Sequence, residues 1–252
     1  MRRLLTAFAA AFVLLVTIGT AMASSKVLNL YTARHYQTDE ALYTNFTRLT
    51  GIRVNRIEGK EDELFERIRR EGPASPADVF LTVDAARLQA ADDAGLFAPV
   101  QSRTLDARIP EQFRDPEGNW FGFSYRARVI AYDRSKVKPE EVSGWADLVK
   151  PRFKGKLCVR SGGHVYNRTL VASLLHHWGE DRTADWARGI VANLARDPKG
   201  GDTDQIRAVA AGECEVAVTN HYYYARLMAS NKPEDQDTVR KVGIVFPEQK
   251  AF

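Results

Sequence analysis

Between Val27 and Gly95 strand and helix periodicities trade places three times, and that alternation restricts the fold more than any other feature of the chain. Val27-Leu28-Asn29-Leu30-Tyr31 reads as a strand, which Thr32 to Tyr36 leaves as a loop. Thr38 or Asp39 can cap the helix that follows, where Leu42, Phe46 and Leu49 form an apolar face that ends at Gly51. Ile52 to Ile57 alternates as a second strand, and Glu61 to Arg70 is a helix with Leu64, Phe65 and Ile68 inward. Ala77 to Thr82 is a third strand and Asp84 to Ala94 a third helix, closed by Gly95. Such alternation builds an α/β fold on a largely parallel sheet. Ligands on these sheets gather beyond the carboxyl ends of the strands, which makes Arg34, His35 and Tyr36 candidate site residues by position alone.

The second half repeats the alternation less regularly. Asn119 to Tyr125 is an extended aromatic run ahead of a strand over Val129 to Asp133, and extended crossovers suit a hinge, so a lobe boundary is expected near Tyr125. A short helix over Trp145 to Val149, a strand over Gly155 to Arg160 and a Ser161–Val165 loop feed a helix carrying Leu170, Leu174, Leu175 and Trp178. Another helix spans Asp181 to Ala195, and the helix through Ile206, Val209 and Ala210 starts at Asp202 or Thr203. A strand over Glu215 to Thr219 then runs into Asn220-His221-Tyr222-Tyr223-Tyr224, and Val242 to Pro247 is the last strand. The expected division is a leader over 1–23, a first lobe from 24–125 with 238–252, and a second lobe over 126–237. A strand needs neighbours and a covering helix, and five residues follow Pro247, so the first lobe is expected to be C-terminally incomplete.

Met1-Arg2-Arg3, the apolar run Leu4 to Ile18 and the small-x-small end at Ala21-Met22-Ala23 have the pattern of a secretory signal. An uncleaved anchor is the alternative, although the run is short for a membrane span. Of 36 basic and 32 acidic side chains, removing Arg2 and Arg3 leaves 34 against 32, a net charge of +2. That near balance, without a basic run, excludes a nucleic-acid binder. Cys158 and Cys214 can pair in an oxidising compartment or remain buried small hydrophobes.

Tyr36, Tyr166, Tyr222 and Tyr223 share a context, each just past a strand or its loop at the start of a helix. Phenolate oxygen is a hard anionic donor suited to a small, highly charged cation. A free phenol releases its proton near pH 10, so only a strong local positive charge makes phenolates at neutral pH. Ferric ion fits, whereas magnesium or calcium recruits carboxylates and zinc recruits thiolates or imidazoles. Four phenolates around Fe(III) carry one net negative charge, which Arg34 and Arg126 could offset. The competing reading is aromatic packing at a lobe interface. His35 could complete a mixed nitrogen–oxygen shell, His164 and His221 flank candidate tyrosines, and His176-His177 diverge on their helix.

There is no HExxH, no paired-cysteine zinc spacing, no phosphate loop and no GxSxG elbow, and no acid–base pair suggests an enzyme. Four separated blocks then agree in order with one family. Tyr31 to Tyr36, Ala77 to Ala85, Gly201 to Cys214 and Asn220 to Leu227 closely resemble the periplasmic ferric-ion-binding proteins of bacterial ABC importers, nearest the FutA/IdiA-like branch. The resemblance implies a two-lobed, hinged, type-II periplasmic-binding-protein fold, a monomer that closes on Fe(III) and hands it to an inner-membrane ABC permease. It implies a metal shell of His35 and Tyr36 from the first lobe with Tyr166, Tyr222 and Tyr223 from the second. Arg34 and Arg126 would stand behind it or contact an anion, and Tyr224 would be support. Ferrous iron or a non-metal solute on the same fold, and a truncated inactive fragment, are the alternative readings.

Overall fold

The structure, a computed structural model, describes residues 26–34 and 36–248; the leader expected over 1–23 lies outside them. The chain divides into two compact units, Met1–Leu96 and Phe97–Phe252.

The first unit is the βα alternation read from the sequence. Strand β1 (Val27–Thr32) lies between β2 (Arg53–Glu58) and β3 (Val79–Leu81), parallel to both, with Tyr31 opposite Ile57 and Phe80. Helices α1 (Gln37–Thr50), α2 (Glu61–Glu71) and α3 (Ala85–Asp93) follow the three strands in turn. Tyr31, Leu64 and Ile68 form its core, with Ile57, Phe80 and Leu96 packed against them. Gly51 ends α1 in a left-handed conformation, φ 71°, returning its N–H to the Thr47 carbonyl, which is why the apolar repeat stops there.

One expectation for α1 fails. Leu42 and Leu49, read as core-facing, are 65% and 72% exposed. The helix instead turns Asp39, Tyr43, Phe46 and Thr47 inward, a stripe rotated towards its polar side. Asp39 ties down Arg34, and Arg56 lies 5.3 Å over the Tyr43 ring, so polar contacts set the helix's roll. Apolar periodicity alone does not register such contacts.

The second unit is built on a mixed sheet of order β5-β6-β4-β7, from β4 (Arg128–Asp133), β5 (Leu157–Cys158), β6 (Val216–Asn220) and β7 (Val242–Val245). Strand β6 runs parallel to β5 and antiparallel to β4. The segment 238–252 was expected with the first lobe, but β7 pairs antiparallel with β4, Ile130 opposite Val245 and Asp133 opposite Val242. The reason is that β4 is buried on both faces and needs a ladder on both edges, and Val242 to Val245 supply the second. Nor does a strand form over Asn119 to Tyr125. Phe121 makes a single bridge to Arg114, and main-chain bonds from Val100 to Gly118 and from Asp115 to Trp120 fold 97–125 back on itself, on the second unit's side of the division. The lobe boundary expected at Tyr125 accordingly differs from the division at Leu96.

Alternation along the strands sorts the core into two faces. Ile130, Tyr132, Leu157, Val216 and Val218 pack with Trp145, Leu148 and Phe153 from two short 3-10 helices, and with Leu170, Leu174 and Trp186 from α5 (Val165–Trp178) and α6 (Glu180–Ala192). Ala131, Cys158 and Ala217 face the other way. They meet Ile206 and Val209 of α7 (Asp202–Ala210) and Tyr224 and Leu227 of α8 (His221–Met228). Two short helices complete the unit, α4 (Arg103–Arg108) and α9 (Pro233–Lys241), the latter leading directly into β7. Cys158 and Cys214 form a disulfide on the α7 side of the sheet, both almost fully buried. Of the two states open to these cysteines, the structure contains the bonded one.

Two carboxylates of this unit, Asp147 and Glu215, titrate below their ordinary range. Burial raises Asp147, but bonds from Lys150, the Gly144 N–H and Ser143 outweigh it and lower its pKa. Burial likewise raises Glu215, and Arg152 and Lys156 outweigh that. A carboxylate whose folded pKa lies below its unfolded value contributes stability that is complete above the unfolded pKa and lost as pH falls through the folded one. Resistance to urea is therefore expected to hold above the normal carboxylate range, near pH ~4, and to decline below it. Arg152→Met should flatten that decline; an unchanged acid limb in the variant would show that the pair does not carry it.

Candidate metal centre

Strand β6 ends at Asn220, whose extended backbone turns the chain straight into α8 at the strand's carboxyl end. Tyr222 and Tyr223 therefore sit in the first turn of α8, and Tyr166 in the first turn of α5. Both helix N-termini favour negative charge nearby. The hydroxyls of Tyr166 and Tyr222 stand 3.2 Å apart, although 56 residues separate them in sequence. The Tyr222 and Tyr223 rings lie 4.3 Å apart, tilted by 34°. Tyr223 is half-buried against the α7 face of the sheet. Tyr224 turns into the protein, where its hydroxyl donates to the Val242 carbonyl at 2.9 Å. The helix thus separates its three tyrosines: Tyr222 meets Tyr166, Tyr223 packs on the sheet and Tyr224 pins α8 to β7.

Three guanidiniums surround the Tyr166 ring, Arg126 at 4.3 Å, Arg160 at 5.1 Å and Arg128 at 6.0 Å. Arg126 had been singled out from the sequence; Arg128 and Arg160 had not. Behind them Asp202 is wholly buried and accepts from Arg128 at 2.7 Å and Arg160 at 3.1 Å. Burial pushes the Arg128 guanidinium below its ordinary range, with Asp202 pulling the other way. His164 caps α5, its Nδ1 accepting from the Tyr166 N–H at 3.3 Å. His221 Nδ1 accepts from the Ala127 N–H at 3.1 Å. His164 thus holds the backbone at Tyr166, and His221 ties the start of α8 to the residue before β4. Among the described residues no three His, Cys, Asp or Glu side chains come together as a metal site.

In the first unit Tyr36 is the residue immediately before α1. His35 lies outside the described residues. Arg34 stacks 5.1 Å over the Tyr36 ring, and its Nε and Nη2 bond both Asp39 oxygens, at 2.8 and 3.0 Å. The Asp39 bond raises the Arg34 pKa further, against the effect of burial. Arg34 is thus paired with a carboxylate of its own unit. A depression of about 130 Å³ opens here, lined by Arg34, Tyr36, Asp39, Tyr43 and Arg56 among others.

Arg160 lies just past β5, as Arg34 lies just past β1, but a strand expected over Gly155 to Arg160 hides that position in the sequence. Asp202 carried no comparable signal, since a helix-capping aspartate next to glycines has an ordinary surface explanation.

The sequence model of the bacterial extracellular solute-binding proteins matches residues 74–252. The chain belongs to that family. Its members are non-catalytic binding proteins. Iron uptake protein A1 of Synechocystis is 52% identical over 223 residues, 88% of this chain and 62% of its own length. The chain therefore spans less than two thirds of that relative. The structure of a Trichodesmium FutA (IdiA) protein with iron and citrate superposes with a TM-score of 0.82 at 53% identity, covering 88% of this chain and 71% of the other. Apo FutA2 from Synechocystis gives 0.82 at 48% identity, covering 90% and 70%. This solute-binding protein has the α/β fold of the type-II periplasmic binding proteins, the class its βα alternation and four sequence blocks anticipated.

Proposed function

We propose that this solute-binding protein takes up ferric iron in the periplasm and passes it, as a monomer, to an inner-membrane ABC permease. The observation that carries the reading is the Tyr166–Tyr222 hydroxyl pair at 3.2 Å, ringed by guanidiniums at the start of two helices. Two hard oxygens at that spacing suit one small cation, and the surrounding positive charge favours their anionic form. Tyr223 is the third ligand from this unit, and the family resemblance adds His35 and Tyr36 to the set. Arg126, stacked on Tyr166, offsets the excess negative charge of the loaded site, while Arg34 acts on Tyr36 and the start of α1. The iron-uptake relative and the iron- and citrate-bound Trichodesmium protein support the choice of metal. The apolar run behind Arg2 and Arg3 supports export.

Purified protein mixed with ferric citrate is expected to colour through phenolate-to-iron charge transfer, with near-stoichiometric iron by metal analysis after desalting. Protein that stays colourless while retaining ferrous iron, a sugar or a polyamine would replace the ferric reading with one of its alternatives.

A further inference from the structure

We propose that Asp202 is a positioning residue for the tyrosine ligands, its buried carboxylate holding the start of α8 and two of the guanidiniums around Tyr166 in one arrangement. The inference rests on the ferric-iron reading of the same site. Asp202 bonds the backbone and side chains that flank the tyrosines. One oxygen accepts the backbone N–H of Asn220 at 2.7 Å and Arg128 Nη1 at 2.7 Å, while the other accepts Arg160 Nη1 at 3.1 Å. Asn220 is the residue from which α8 departs, two positions before Tyr222, and its side-chain amide reaches the Tyr222 hydroxyl at 3.5 Å. Arg128 also bonds the side-chain oxygens of Asn220 and Asn167. Asn167 follows Tyr166 directly, and its amide donates to the carbonyls of Arg160 and Ser161, the loop that launches α5. A continuous set of polar contacts therefore runs from Asn167 beside Tyr166, through Arg128 and Asp202, to Asn220 beside Tyr222.

The charges explain why a carboxylate stands there. Two largely buried guanidiniums converge on one Asp202 side chain with no solvent exposure, so loss of the carboxylate leaves both cations poorly compensated. An asparagine of the same shape keeps a single acceptor and turns an NH₂ towards a guanidinium. The cations must then move apart, and with them the residues beside Tyr166 and Tyr222. A surface helix cap would transmit nothing of the kind. Groups behind a ligand shell that fix its orientation commonly alter metal affinity by about 10–100-fold when removed.

The test compares wild-type protein with Asp202→Asn, each shown to be folded by its thermal transition. Wild type must first show the charge-transfer band, which tests the ferric reading separately. Asp202→Asn is then expected to lose ~10-fold or more in ferric affinity, measured by citrate competition, and to shift the band. A folded variant with the wild-type band and affinity would overturn the proposal, because a merely structural aspartate alters the melting temperature alone. Should the single variant not fold, Asp202→Asn/Arg160→Gln restores the wild-type net charge and is read by the same criteria. If wild type binds no ferric iron, the crystal structure of the folded variant decides. A Tyr166–Tyr222 hydroxyl separation opened well beyond 3.2 Å supports positioning by Asp202, and an unchanged one refutes it.

Discussion

Phenylalanine at both Tyr222 and Tyr223 is expected to abolish the visible band of the ferric-loaded protein while leaving the fold intact. The substitution removes two hydroxyls and retains both rings, so the 4.3 Å contact between them and the packing of Tyr223 on the sheet are preserved. What disappears is the oxygen that Tyr222 sets 3.2 Å from Tyr166, together with the donor that Tyr223 brings from the same helical turn. No cluster of histidine, cysteine or carboxylate among the described residues could replace them. Tyr224→Phe is the matched control on the same helix. Its hydroxyl is spent on the Val242 carbonyl, so its loss should cost about 1 kcal/mol of stability and leave the band unaltered. Absorption spectra and citrate competition on the two variants separate these roles. A coloured double variant, or a colourless Tyr224→Phe, would overturn the ligand assignment.

The second large effect is on stability. Cys158→Ala/Cys214→Ala opens a crosslink spanning 56 residues, whose loop-closure entropy alone amounts to about 4 kcal/mol. The bridge joins β5 to the turn before β6, the two strands whose carboxyl ends lead to Arg160 and to the tyrosine helix. Urea unfolding should shift to a much lower midpoint, and reduced wild-type protein should behave like the double variant. Both should still take up ferric iron at temperatures where they remain folded, since neither cysteine touches a tyrosine oxygen. A shift equivalent to less than about 1 kcal/mol would show that the bridge does not restrain the unfolded chain.

Much of this molecule could be read from local pattern. Residues 27–93 announce their strands and helices because each element's periodicity is complete within about a dozen residues and each is closed by a turn signal. The first unit follows that reading nearly element for element, and Gly51 ends α1 where expected. That Tyr36 and Tyr222 follow strand ends is readable for a related reason: a strand's carboxyl end is a fixed place in this kind of sheet. Where the reading went astray, the deciding partner was distant. β7 joined β4 because a doubly buried strand needed a second ladder, and Leu42 and Leu49 face outward because Asp39 and Arg56 govern the roll of α1.

Fold class, element order and the position of tyrosines just past strand ends all depend on neighbours in the chain. Which side chains meet depends on how the strands pair. Cys158 finds Cys214, Tyr166 finds Tyr222, and Asp202 draws Arg128 and Arg160 together, because β5, β6 and β4 lie side by side in one sheet. A pairing between strands brings together residues dozens of positions apart, and no local periodicity records it.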